Sequence, residues 1–351
     1  TVSVLYWKLR HQGITMRALV VAALVVATFS AVASAAYDPA LAMDALYYSN
    51  AVKCIPGASV VNWTCGPSCE RAGPFVNITF VYNDTLQARG FVGYDPTHSR
   101  IALAFRGTQT PLNWVEDLDF RKVPYTADAA CGANCEVHQG FFETYEFMAQ
   151  RILPATTALL AAHPDADVLV TGHSLGAAQS QFGLLDTMKL VAASGNPGRR
   201  VTLINFGCPR VGNAAFADWA IGRIAAAAST TAAYRVVHDN DPVPMVPMAW
   251  LGFQHFPRVF VWYNASLPAP GYVLCNKTGI QAVDNGAASV AGAPRLRLTS
   301  KDAVLVAAQK EATVEMSSSC GSTSIWHANP NNHVWYLGVP MNCKLDPHHH
   351  Y

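Results

Sequence analysis

Charge is scarce in this sequence. Only 13% of its 351 residues are Asp, Glu, Lys or Arg, and they balance to a formal +1. Phosphate backbones are bound by concentrated basic faces, and no such face is visible, which excludes nucleic acid as a partner. Long apolar runs are scarce too. Ala18 to Phe29 is the main one, and it is short beside the roughly 20 residues of a membrane span. The stretch from Leu267 to Ser324, rich in Ala, Gly, Ser and Val, holds no repeat. What remains is a chain 51% hydrophobic, enough for a large core in one domain.

The apolar run has a neighbourhood of its own. Met16-Arg17 precedes it and Ala33-Ser34-Ala35 follows it, the arrangement of a secretory signal peptide over residues 16–35 with cleavage near Ala35. Residues 1–15 read as a possible upstream segment, and a membrane anchor is the alternative for the run itself. All nine cysteines follow the run. Five Asn-x-Ser/Thr acceptors begin at Asn62, Asn77, Asn83, Asn264 and Asn276. Secretion into an oxidising compartment explains both features. A zinc site on Cys65-x3-Cys69 and Cys131-x3-Cys135 is the weaker reading, because a secreted chain oxidises such pairs. The expectation is no metal.

Val168 to Gly176 reads Val-Leu-Val-Thr-Gly-His-Ser-Leu-Gly, an apolar strand entering a Gly-x-Ser-x-Gly turn, followed by small residues and then helical apolar spacing. Gly172 and Gly176 remove side chains where strand and helix close on each other, so Ser174 is presented on a strained elbow. A glycine-rich turn with a capping serine is the bland alternative. Around it the spacing predicts an opening helix over Ala40–Lys53, a hairpin of Phe75–Tyr82 and Gln87–Tyr94 turning at Asn83-Asp84, and a buried strand over Ile101–Phe105. A helix from His138 to about Ala162 is expected to kink or split at Pro154. Strands at Val201–Phe206, Tyr234–Val237 and Arg258–Tyr263, with a helix from about Ala214 to Ala228, complete an α/β pattern. Such alternation implies a mostly parallel central sheet with helices on both faces, in a single domain over 36–351.

A serine hydroxyl attacks only with a histidine base, and that base needs a carboxylate to hold its tautomer. On an α/β-hydrolase the order along the chain is Ser, acid, His, which Asp241 and His333 satisfy. Asp239 is the alternative acid; His255 and His327 are alternative bases. His173, beside the nucleophile, is expected to pack beneath the elbow.

At these residues the chain resembles the fungal-type class 3 lipases. The matches, in family order, are Phe105-Arg106-Gly107-Thr108, Asn113-Trp114, Val137-His138-Gln139-Gly140-Phe141, Gly172-His173-Ser174-Leu175-Gly176, Phe206-Gly207-Cys208-Pro209-Arg210-Val211-Gly212-Asn213, Asp241-Pro242-Val243-Pro244 and His333-Val334-Trp335-Tyr336. The resemblance runs from about residue 40 to 345. It implies the α/β-hydrolase fold, a triad of Ser174, Asp241 and His333, and an oxyanion hole from Thr108 and the backbone N–H of Leu175. Pro111 to Leu118 takes the place of the family's lid, where Leu112, Trp114, Val115 and Leu118 would cover the site; a fixed amphipathic helix is the alternative. The pairings Cys54–Cys343, Cys65–Cys69 and Cys131–Cys135 are also implied, with Cys275–Cys320 a further possible bridge and Cys208 left over. The chain departs from the pattern between Asp241 and His333, where an insertion near 267–324 lengthens the connection.

The function expected is a secreted serine ester hydrolase, a triacylglycerol lipase at a lipid–water interface, without cofactor and monomeric. A phospholipase A1 or feruloyl-type esterase on the same scaffold is the alternative, and a silent lipid-binding protein a remoter one. The apolar lid residues favour lipid.

Overall fold

Strands buried on both faces read as continuous apolar runs, and those runs form the centre of this molecule. The structure, a computed structural model, describes residues 36–107, 119–258, 260–263, 272–276, 279–281 and 328–346. The expected signal segment, Thr108, the lid residues Leu112, Trp114, Val115 and Leu118, Asn264, Cys320 and His327 lie outside the described residues. So does most of the 267–324 insertion.

Nine strands form one sheet in chain order: β1 (Val76–Asn83), β2 (Ala88–Asp95), β3 (Arg100–Phe105), β4 (Asp167–His173), β5 (Val201–Phe206), β6 (Thr231–His238), β7 (Phe260–Tyr263), β8 (Val273–Asn276) and β9 (Gly279–Gln281). The central strands β3 to β7 are parallel. The first hairpin and the last two strands are antiparallel. The hairpin β1–β2 turns at Asn83, whose side-chain oxygen accepts from Leu86 N–H at 3.0 Å. β8 and β9 were not foreseen; they show that the insertion starts by widening the sheet at its edge.

Alternation along β3 sorts the core into two layers. Ile101, Leu103 and Phe105 point to one face, packing with α2 (Gln139–Ala162), α3 (Leu175–Ala193) and α4 (Ala214–Ala226). Ala102 and Ala104 point to the other, with α1 (Pro39–Ala51) and Tyr336 and Met341 of the last segment. Helices therefore cover both faces, as the alternation of elements requires.

α2 answers part of one expectation: it does not split, and it runs through Pro154. Pro154 and Gln150, whose carbonyl loses its helical partner there, are both exposed residues.

Disulfides join Cys54 to Cys343, Cys65 to Cys69 and Cys131 to Cys135. Cys275 is also disulfide-bonded, to a partner outside the described residues. Cys208 is a buried free thiol, and burial pushes its pKa up to about 12, which keeps it protonated and inert. Asn62 and Asn77 are exposed and Asn83 half-buried, so the first two can take a glycan without rearrangement; the side chain of Asn276, on β8, lies outside the described residues. Among the described residues, no helix is long and apolar enough to cross a membrane, and no cluster of His, Cys, Asp or Glu is suited to a metal.

Candidate active site

The elbow is the tightest crossing in the fold. A Cβ on Gly172 would stand 2.2 Å from the Gly176 carbonyl oxygen, and one on Gly176 would stand 2.1 Å from that of Phe105. Neither position tolerates a side chain. Between them Ser174 takes φ 61° and ψ −127°, the left-handed region that a non-glycine residue enters only under constraint. Its N–H donates to Phe206 O at 3.0 Å. α3 starts at the next residue, so the Leu175 N–H is one of the helix's first amides, without an acceptor one turn back. Gly107, at the end of β3, lies so close that a Cβ there would be 2.9 Å from Ser174 Cβ. The chain thus leaves β3 against the elbow.

Asp241 stands three residues beyond β6, on a loop stitched to the last segment. Asp239 N–H donates to Tyr263 O, and Asn329 N–H donates to Asn240 O, both near 2.9 Å. The turn brings His333 Nδ1 to 2.9 Å from Asp241 Oδ2, with both side chains fully buried. Since a carboxylate only accepts, Nδ1 carries the proton and Nε2 keeps its lone pair. Asp241 takes two further donors: Val243 N–H at 2.8 Å on Oδ1 and the Tyr336 hydroxyl on Oδ2. Tyr336 is held protonated, its pKa raised well above the ordinary value by burial and then by the Asp241 charge.

The competing residues go elsewhere. Asp239 accepts from the Asn332 side-chain amide at 3.2 Å. His255 is half-buried, with Nε2 2.9 Å from the Pro244 carbonyl oxygen. His173 lies beneath the elbow, as expected, with Nε2 2.7 Å from the His333 carbonyl oxygen and Nδ1 3.2 Å from Lys53 Nζ. Burial, followed by the charges of Lys53 and His333, holds its pKa well below normal. The Lys53 ammonium is likewise pushed well down, by burial first and Arg106 second.

Ser174 Oγ and His333 Nε2 are both buried and have no hydrogen-bond partner among the described residues. The rings of His173 and His333 are tilted by 30° with centroids 4.5 Å apart, and Ser174 follows His173 in the chain. Beneath them Gly207, at φ +58°, is required: a Cβ would approach Asp241 Oδ2 to 2.8 Å and the His333 ring to 2.9 Å. Gly207 and Tyr336 lay inside the motifs already singled out, but neither was given a role. Lys53 carried no sequence signal at all.

Residues 102–250 match the family profile for lipase (class 3). The secreted mono- and diacylglycerol lipase A of Penicillium cyclopium is 31% identical over 189 residues, 54% of this chain and 56% of that one. The secreted mono- and diacylglycerol lipase 1 of Fusarium solani is 34% identical over 165 residues, 47% of this chain and 44% of that one. The chain thus spans about half the length of the curated relatives it matches. The Rhizomucor miehei triacylglyceride lipase superposes with a TM-score of 0.62 over 88% of this chain and 98% of that one, at 21% identity. That likeness is one of architecture: an α/β-hydrolase fold with a mostly parallel central sheet.

Proposed function

We propose that this chain, whose residues 102–250 match the family profile for lipase (class 3), is a secreted serine ester hydrolase of the fungal class 3 lipase type acting on acylglycerols at a lipid–water interface. The observation that carries this is the buried His333–Asp241 pair together with the strained Ser174, with Ser174 Oγ and His333 Nε2 both unpaired among the described residues.

The chemistry follows from those atoms. Ser174 Oγ attacks the ester carbonyl while His333 Nε2 takes its proton, and Asp241 stabilises the imidazolium that forms. The Leu175 N–H and Thr108 face the oxyanion of the tetrahedral intermediate. Its collapse expels the alcohol, protonated by His333, and leaves an acyl-enzyme. Water, deprotonated by the same nitrogen, then releases the fatty acid. No step calls for a metal or organic cofactor.

Burial supports the interfacial part of the reading. Ser174 is 1% exposed and His333 0%, so an ester reaches the hydroxyl only after a covering segment moves. Leu112, Trp114, Val115 and Leu118 are the residues proposed to move, turning towards lipid. The secreted relatives, the three disulfides and the exposed acceptor asparagines support extracellular work.

A second reading has one specific observation in its favour. The Penicillium and Fusarium relatives are mono- and diacylglycerol lipases, so partial glycerides compete with triacylglycerols as the preferred substrate. Hydrolysis of a short-chain ester across its solubility limit, beside emulsified mono-, di- and trioleoylglycerol, separates the cases. A rise in rate once droplets form, with long-chain turnover, is expected. Saturation below the limit without long-chain turnover would instead indicate an esterase of soluble substrates, and turnover confined to mono- and dioleoylglycerol the second reading.

A further inference from the structure

We propose that Lys53 and His173 are positioning residues for His333: His173 grips the backbone of the base, and Lys53 fixes the tautomer in which it can do so. The inference rests on the reading of Ser174 as nucleophile and His333 as base.

A carbonyl oxygen only accepts. With His173 Nε2 2.7 Å from the His333 carbonyl, Nε2 must carry the proton and donate. A neutral imidazole then presents Nδ1 as an acceptor, and Lys53 Nζ, 3.2 Å away, is the donor that meets it. The same Nζ donates to the Met341 carbonyl at 2.5 Å, eight residues past the base. Next to Lys53, Cys54 is bonded to Cys343, and Asn50 Nδ2 donates to Pro340 O at 3.0 Å. The segment carrying His333 is thus held at two places, the end of α1 and the residue preceding the nucleophile. The His173 ring also lies 4.5 Å, centroid to centroid, from the His333 ring, tilted by 30°, and this contact restrains the base further.

Lys53 is half-buried, and taking an amine out of water is unfavourable unless its donors are used. An apolar residue would fill the same space without that cost, so the amine is explained by what it donates to. Without it, His173 is free to move its proton to Nδ1. Nε2 and the His333 carbonyl would then be two acceptors face to face, and the base would lose its register with Ser174 Oγ.

The test is a double-mutant cycle read as turnover of a soluble p-nitrophenyl ester below its solubility limit. Active sites are counted by titration with a phosphonate. Lys53→Met keeps the stem and removes the donors; it is expected to lower kcat about tenfold to a hundredfold, as small misplacements of reacting groups do, with KM within about twofold. His173→Gln replaces the ring by an amide whose N–H can reach the same carbonyl and has no tautomer to fix. In that background Lys53→Met is expected to cost no further kcat. A wild-type kcat in Lys53→Met, or an equal loss in both backgrounds, would overturn the proposal. A wild-type protein whose turnover survives Ser174→Ala would sink the underlying reading instead. Should the variants fail to fold, imidazole 15N NMR of the wild type decides: an Nε2–H tautomer at His173 supports the relay, and an Nδ1–H tautomer overturns it.

Discussion

The Tyr336 hydroxyl and the His333 Nδ1–H converge on one oxygen, Oδ2 of Asp241. Three residues of chain separate these donors, and both are fully buried with the acceptor. The carboxylate is thereby aimed by two side chains at once.

Tyr336→Phe removes one donor from this buried carboxylate. Hydrogen bonds to charged groups contribute about 1.5–3 kcal/mol, so urea unfolding should show a loss of about 2 kcal/mol. Turnover should fall only several-fold, since His333 and Val243 still hold the carboxylate. A rate loss as large as that of removing Asp241 itself would show that Tyr336 does more than orient.

Ser174→Ala should abolish hydrolysis, with a loss on the order of a millionfold, and leave the fold and melting temperature close to those of the parent. Circular dichroism beside an ester assay checks both halves. Residual turnover near the wild-type level would remove Ser174 from the mechanism.

Gly207→Ala places a methyl group at 2.8–2.9 Å from Asp241 and His333, on a backbone at φ +58°. The pair must separate or the turn must shift. Activity should drop about a hundredfold or more, and left-handed strain should cost about 1–3 kcal/mol of stability. Activity retained at the parent level would mean that the turn yields without moving the pair.

Acid should destabilise the fold through its buried histidines. Burial lowers His138 to about 4, and it also holds His173 and His255 well below normal. Between about pH 6.5 and 4 the unfolded chain therefore binds protons that the folded chain refuses, so stability is full above 6.5 and falls as pH drops through that window. His138 alone contributes about 3 kcal/mol to the slope, at about 1.4 kcal/mol per unit. His138 also caps α2, accepting from Phe141 N–H. His138→Asn keeps a capping acceptor without the titration, and should flatten the dependence of melting temperature on pH. An unchanged slope would assign the acid sensitivity to other groups.

The elbow was legible from the sequence because everything that forms it lies within nine consecutive residues. An apolar run makes β4, two glycines allow the crossing, and small residues open α3; steric limits of that kind act locally. The strands and helices of the sheet were legible for a similar reason, as periodicity is a property of contiguous residues. The helix does not split at Pro154 because the effect of a proline depends on which face of α2 meets water, and β8 and β9 were missed because short edge strands take their shape from the neighbour they pair with.

Tertiary structure alone decided the rest. Asp239 and Asp241 stand two residues apart on one loop, and no local property separates them. The bonds that tie this loop to Tyr263 and Asn329 turn Asp241 towards His333 and Asp239 towards Asn332. Lys53 reads as an ordinary basic residue at a helix end until the chain folds. Only then do His173 and Met341, 120 and 288 positions away, close around its amine. Residue identity and spacing specify which groups exist and what local backbone they favour; contacts between distant segments select which of those groups meet, and in a dry interior that selection sets their protonation and their reach.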